Sequence, residues 1–261
     1  MQSLSIAATG MMAQQLNVEV ISNNVANMST AGFKRQRASF EDLMYSDMQR
    51  VGSTSSDAGT IVPSGVQVGM GVRTAAVTRI TAQGNLDITE NDLDLAIQGR
   101  GYFRVQLPSG DEAFTRAGNF STSPTGQLVT SDGYTVQPGI NIPSNAVDIS
   151  INAQGSVEVT LDGQTDPQVV GQLDLAAFQN PAGLDPLGGN LFMESAASGT
   201  PSTGTPGSTG YGSLLQGYLE TSNVNAVSEI TSLITAQRAY EMNAKMITAT
   251  DEMLSVTSNL R

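Results

Sequence analysis

The chain contains no cysteine, no histidine and no tryptophan. Without a thiol there is no disulfide, no thiolate ligand and no thiolate nucleophile. Without an imidazole, the commonest general base and the commonest metal ligand are both missing. Aromatics make up only 5% of the 261 residues. Basic groups are also scarce, 12 against 24 acidic, for a net charge of −12. That balance excludes the basic footprint needed to hold nucleic acid. No apolar run approaches 18 residues, so no membrane-spanning helix is expected. The first basic residue is Lys34, so Met1–Ala31 lacks the positive n-region of a cleavable signal peptide.

The charge is unevenly placed. Residues 1–80 hold 6 basic and 5 acidic groups, a net +1. Residues 81–210 hold 3 and 14, a net −11, and residues 211–261 hold 3 and 5, a net −2. Near-neutral ends that pack and an acidic middle that faces water is the simplest reading.

Both ends carry helical periodicity. Leu4, Met11, Val18 and Val25 recur every seven residues, accompanied by Ala7, Gln14, Ile21 and Met28. Only Gln14 among them is polar. A helix of this length spans roughly 40 Å at about 1.5 Å per residue. It should stop between Asn27 and Gly32, with Gly32 suited to the left-handed turn beyond its end. At the other end Ala239, Met242, Met246, Ala249, Met253, Val256 and Leu260 alternate by three and four. Leu233, Tyr240, Ile247 and Leu254 form a neighbouring row. Asn225 is a candidate cap, Glu229 falls in the first turn, and Glu241 with Lys245 has the spacing of an ion pair. Each stripe lacks a partner within its own segment, which predicts that the two helices pack together and against further copies of the chain.

The middle has the alternation of strands at Val66–Val72, Leu93–Ile97, Val147–Ile151 and Val157–Leu161, separated by glycine-containing turns. The Ser/Thr/Gly-rich stretches Gly52–Gly65 and Ser198–Gly212 are expected to be loops. The expected fold class is α+β, mainly β. Long terminal helices would pack in a coiled-coil-like tube domain, with an antiparallel β domain inserted between them. Its expected parts are residues 1–32 with 222–261 as the helical domain, 33–75 as an extended stiffening segment, and 76–215 as an outer β domain with a flexible loop at 198–212.

Sites for chemistry are few. Asp92 and Asp94 would share one face of a strand, but alternating Asp and Leu is also what a half-buried strand looks like. Gly69-Met70-Gly71 and Gly99-Arg100-Gly101 complete no phosphate-binding motif and suit tight turns. The only lysines, Lys34 and Lys245, lie on the terminal segments, away from any serine of the middle. No catalytic, cofactor or metal site is expected, and the chain is not read as an enzyme.

Two long signatures flank the chain. Ile21-Ser22-Asn23-Asn24-Val25-Ala26-Asn27 leads to Gly32-Phe33-Lys34-Arg35. Glu220-Thr221-Ser222-Asn223-Val224-Asn225 leads through Glu229 to Gln237-Arg238-Ala239-Tyr240-Glu241 and Asn243-Ala244-Lys245. Between them stand Gln83-Gly84-Asn85-Leu86, Ala96–Phe103, Phe114–Gly118 and Gly126–Val129. This pattern resembles the bacterial flagellar rod and hook proteins over nearly the whole chain. Length, together with the stretch Tyr45–Pro63, favours the distal-rod branch; a hook-type or proximal-rod member is the alternative. A secreted adhesin-like binding module is the reading from a different class.

The resemblance implies a structural subunit that assembles into a hollow rod, encloses an export channel and carries motor torque to the hook. It implies a basal-body location across the periplasm and export without a cleavable signal. The implied partners are copies of itself, proximal rod proteins, the hook protein, the surrounding ring proteins, the export apparatus and the rod cap, with no nucleic acid and no membrane insertion. The expected assembly interface comprises Leu4, Met11, Val18, Ile21, Asn23, Asn24, Val25, Asn27, Gly32 and Phe33 from the first signature. From the second end it takes Leu233, Tyr240, Met242, Met246, Ile247, Met253, Leu254 and Leu260.

Overall fold

The computed structural model describes residues 2–49, 65–164 and 166–259. The chain divides into two units. One comprises Met1–Val25, Gln36–Thr78 and Asn225–Arg261; the other comprises Ala26–Arg35 and Arg79–Val224.

The first unit is built on two helices, α1 (Gln2–Ala26) and α2 (Ala226–Asn259). Asn225 caps α2: its Oδ1 accepts from the Ser228 N–H at 3.1 Å. The helices are antiparallel. Asn24 touches Glu229, and a Cβ at Gly10 would lie 2.9 Å from the Asn243 side chain, so fourteen residues along one helix match fourteen back along the other. With 34 residues against 25, α2 therefore extends beyond the start of α1. The unit also holds the ribbon Gln36–Asp42 with Val72–Arg79 and the hairpin Tyr45–Gln49 with Val66–Gly69.

The coiled-coil-like tube domain expected of the ends is not what they form. A coiled coil buries its apolar seam along the whole pair. Here α1 buries Ala7, Ala13, Val20, Ile21 and Asn24, whereas Leu4, Met11, Val18 and Val25 are only half covered. Among the described residues of α2 only Glu229 and Ala236 are buried. The physical reason is side-chain size. The fully buried positions are mostly small, Ala7, Ala13 and Ala236, and Gly10 leaves room for the Asn243 side chain, while Met242, Met246, Met253 and Leu254 are too bulky for such places and stay exposed. Strands also belong to this unit, so the ends are not a purely helical domain.

The second unit is mostly antiparallel β. Its largest sheet runs in the order 185–188, 191–193, 112–115, 102–106, 135–136, 128–130, 120–122. Strand Leu175–Ala177 joins Tyr102–Gln106 on a further edge and carries Ser202–Gly204. A three-stranded sheet of Ala146–Ile151, Ser156–Leu161 and Gln168–Gln172 packs with it through Val157 and Val159. The core contains Leu95, Ile97, Phe103, Leu175 and Leu214, all essentially without solvent contact. Each such side chain contributes about 1.5–3 kcal/mol by burial. A second cluster stacks Tyr102, Phe114, Phe178 and Phe192 edge to face, the Phe114–Phe178 centroids being 4.8 Å apart.

Two expectations change here, and a third falls mostly outside the described residues. The stretch Ser198–Gly212, expected to be a flexible loop, buries Ser198 and contributes the strand Ser202–Gly204, with Ser202 bonded to the Tyr211 hydroxyl. Asp92 lies in a turn and Asp94 at an isolated bridge, so they are not neighbours on one strand face. Of the stretch Tyr45–Pro63, the strand Tyr45–Gln49 is described and the remainder lies outside the described residues, as does most of Gly52–Gly65.

Candidate functional site

The signature residues gather into two clasps, one inside each unit. In the second unit the centre is Glu220, the last residue of strand Tyr218–Glu220, which pairs with Leu86–Ile88. Its carboxylate accepts from Lys34 Nζ and Arg116 Nε, and from the Gly84 N–H at 2.9 Å. The Lys34 and Glu220 side chains are 3% and 0% exposed, so this is an ion pair in the interior and not a surface bridge. Lys34 spends a further donor on the Ala82 carbonyl at 2.9 Å. Arg116 fans its remaining donors over the carbonyls of Ile97, Gly99 and Gly101, holding the Gly99-Arg100-Gly101 turn from beneath.

Two cations share one carboxylate, and the electrostatics follow from that count. Burial alone would raise the Glu220 carboxyl, but Arg116 and Lys34 together hold it below the ordinary carboxylate range. Burial pushes the Lys34 ammonium below its usual value, and its half-share of Glu220 does not fully offset this. Burial likewise raises the neighbouring Tyr102 hydroxyl, against the pull of Arg116 and Arg79.

Backbone contacts complete the clasp. The Gly32 N–H donates to the Glu220 carbonyl at 2.8 Å. Gly32 has φ +70°, and a Cβ there would lie 2.7 Å from the Ala117 nitrogen, so only glycine fits. A Cβ at Gly84 would overlap the carbonyl oxygen of Thr221. Asn223 behaves as a two-ended staple: its Oδ1 accepts from the Arg35 N–H at 2.7 Å, and its Nδ2 donates to the carbonyls of Ile80 and Ala82 at 2.9 Å. The segment after α1, the segment before α2 and the Ile80–Leu86 stretch are thus fastened at one point.

In the first unit Asn24 does the equivalent work. Its Oδ1 accepts from the Gln36 N–H at 2.9 Å, while its Nδ2 donates to the Gln36 carbonyl at 2.8 Å and to Glu229 Oε2 at 3.1 Å. It therefore ties both helices to the strand Gln36–Asp42.

The residues expected to form an assembly interface divide between these clasps and the surface. Asn24 and Gly32 are buried inside the chain, as is Ile21. Leu4, Met11, Val18, Val25, Asn27, Phe33, Leu233 and Ile247 are half-buried. Asn23, Tyr240, Met242, Met246, Met253 and Leu254 are exposed, and Leu260 lies outside the described residues. Sequence reasoning did not single out Glu220, Arg116, Lys34 or Asn223 as working residues, although all four stand within the quoted signatures. Glu241 and Lys245, spaced for an ion pair, do not form one.

Among the described residues no helix is long and apolar enough to cross a membrane, and no cluster of acidic side chains is arranged to hold a metal. The two clasps hold chain segments together within each unit.

Comparison with known proteins points the same way. Residues 4–34 match the family described as flagella basal body rod protein. Residues 96–159 match the flagellar hook protein FlgE/F/G D1 domain, and residues 215–260 match the flagellar basal body rod FlgEFG protein C-terminal family. The chain is 62% identical over 261 residues to the flagellar basal-body rod protein FlgG of Caulobacter vibrioides, covering all of both chains. It is 52% identical to that of Agrobacterium fabrum over 99% of this chain and 98% of the relative. With the FlgG of Bacillus subtilis it shares 40% identity over 100% and 99%. The chain belongs to the flagellar basal-body rod protein family, and to the FlgG branch of it.

Proposed function

We propose that the chain is a structural subunit of the distal rod of the bacterial flagellum. Copies assemble into a hollow shaft that spans the periplasm, encloses the export channel and passes motor torque to the hook. The full-length similarity to proteins named FlgG carries this reading. The exposed Met242, Met246 and Leu254 support it, because a subunit that works alone has no use for such a row on a long helix. The clasps suit the same work: torque crosses a subunit only if its segments do not slip, and buried charge and amide networks resist slippage.

In this reading the segment 33–75 stiffens the polymer. Its described hairpin puts Met44, Met48, Val66, Val68 and Met70 on one face, all exposed and available to a neighbour. The acidic β unit faces the ring proteins around the rod, where like charge limits sticking. Proximal rod proteins and the hook protein adjoin its two ends, and the export apparatus delivers it without a cleavable signal. Expression in a strain lacking its own FlgG tests the reading. Restored swimming and a complete rod are expected; an unchanged non-motile strain with normal amounts of the exported chain would refute it.

A further inference from the structure

One face of the helix pair is acidic and hollow. Gln15, Val18 and Glu19 of α1 and Gln237, Tyr240 and Glu241 of α2 line a groove of about 620 Å³. Val18 and the Tyr240 ring provide apolar surface. Glu19 and Glu241 bring two carboxylates to the same groove, and Gln15 donates to Glu19 at 3.1 Å. Neither carboxylate forms an ion pair within the described residues. Two like charges beside one apolar hollow repel each other and favour a cation that brings some hydrocarbon with it.

The neighbouring strip of α2 has that chemistry. Arg238, Met242 and Lys245 are spaced by four and three, so they form a strip along the helix that adjoins the groove, Glu241 being three residues from Arg238 and four from Lys245. All three are exposed, Met242 by 61%. Arg238 and Lys245 also form no ion pair within the described residues. The same helix pair therefore carries two unpaired carboxylates around an apolar hollow and two unpaired cations around an apolar knob.

We infer that the groove receives the Arg238–Met242–Lys245 face of a second copy of this chain. This rests on the rod-subunit reading and adds which two faces meet. Met242 fills the hollow over Val18 and Tyr240, and the two cations settle against Glu19 and Glu241. The groove of one copy takes a patch of the next that is not the groove itself, so the contact is heterologous. Each copy receives one neighbour and offers itself to the next, which propagates an open or ring-forming array and does not stop at a dimer. Shielding from water on docking strengthens the charge pairing beyond that of an exposed pair.

The absence of native cysteine makes a direct test possible. Two copies, one carrying E19C and the other R238C, are co-expressed in a strain lacking its own rod protein, and basal bodies are oxidised mildly. A disulfide-linked dimer is expected when both copies are present and not with either alone. Charge reversal is the second arm. E19K with E241K in the chain abolishes swimming, as does R238E with K245E, and the four changes together restore it. Swimming cells with complete rods but no cross-link, or the E19C copy captured by a different protein, would overturn the pairing while leaving the rod reading intact. Failure of the unaltered chain to restore swimming would remove both.

Discussion

Replacing Glu220 by glutamine keeps the shape of the side chain and removes its charge. In the folded protein that leaves Lys34 and Arg116, 3% and 6% exposed, facing each other with no counter-charge. Uncompensated charge of this kind costs about 3–5 kcal/mol. Replacing Lys34 by methionine acts on the other side of the imbalance. It removes a cation that burial already disfavours and leaves a one-to-one pair between Glu220 and Arg116, with the Gly84 N–H still bonded. The lost charged hydrogen bonds are offset by the desolvation no longer needed, for a net loss of about 0–2 kcal/mol. Urea unfolding of the purified full chain reads both, followed by the near-ultraviolet dichroism of Tyr102 in its aromatic cluster.

The same clasp sets a pH dependence. The folded Glu220 carboxyl titrates below its unfolded value of about 4.3. Its stabilisation is therefore present above that value and is lost as pH falls through the depressed folded value, where the unfolded chain has already bound its proton. The E220Q variant should lack this part of the acid limb. An E220Q protein within about 1 kcal/mol of the parent, or a K34M protein as damaged as E220Q, would refute the two-cations-to-one-anion account.

Other expectations follow from single contacts. Gly84→Ala forces a Cβ onto the Thr221 carbonyl and should destabilise by about 1–3 kcal/mol or more, read by thermal unfolding. Asn24→Ala strips three hydrogen bonds and should cost about 1–3 kcal/mol, with faster hydrogen exchange at the Gln36 amide as its specific mark. Phe114→Ala empties the centre of the aromatic cluster and should cost about 3–5 kcal/mol. Met242→Ala should leave the unfolding of the isolated subunit within about 0.5 kcal/mol of the parent and yet weaken assembly, measured by sedimentation.

Much of this architecture is legible in order along the chain. The spacing of Leu4 to Val25 and of Ala239 to Leu260 marks helices, and the cap at Asn225 is read from one residue and its place. Spacing alone does not say which stripe of a helix is buried. The buried places go to the small residues Ala7, Ala13 and Ala236, and smallness is a property that a hydrophobicity pattern scores below Met or Leu. The clasp was out of reach for another reason. Lys34 and Arg116 lie 186 and 104 positions from Glu220, and no local pattern joins residues that the sheet pairing brings together. Their membership of recognisable signatures marked them as a group, while their geometry supplied the work each does. The strand Ser202–Gly204 was hidden by composition: a Ser/Thr/Gly stretch looks like a loop, and its pairing partner Leu175–Ala177 provides the apolar contact it lacks.

The central claim is that this chain builds part of a rotating shaft, and electron microscopy of basal bodies from a strain deleted for it tests that most directly. The expected image is a rod that stops short, with no hook beyond it, lengthening to full size when the chain is resupplied. A complete rod bearing a hook in cells without the chain would contradict the account.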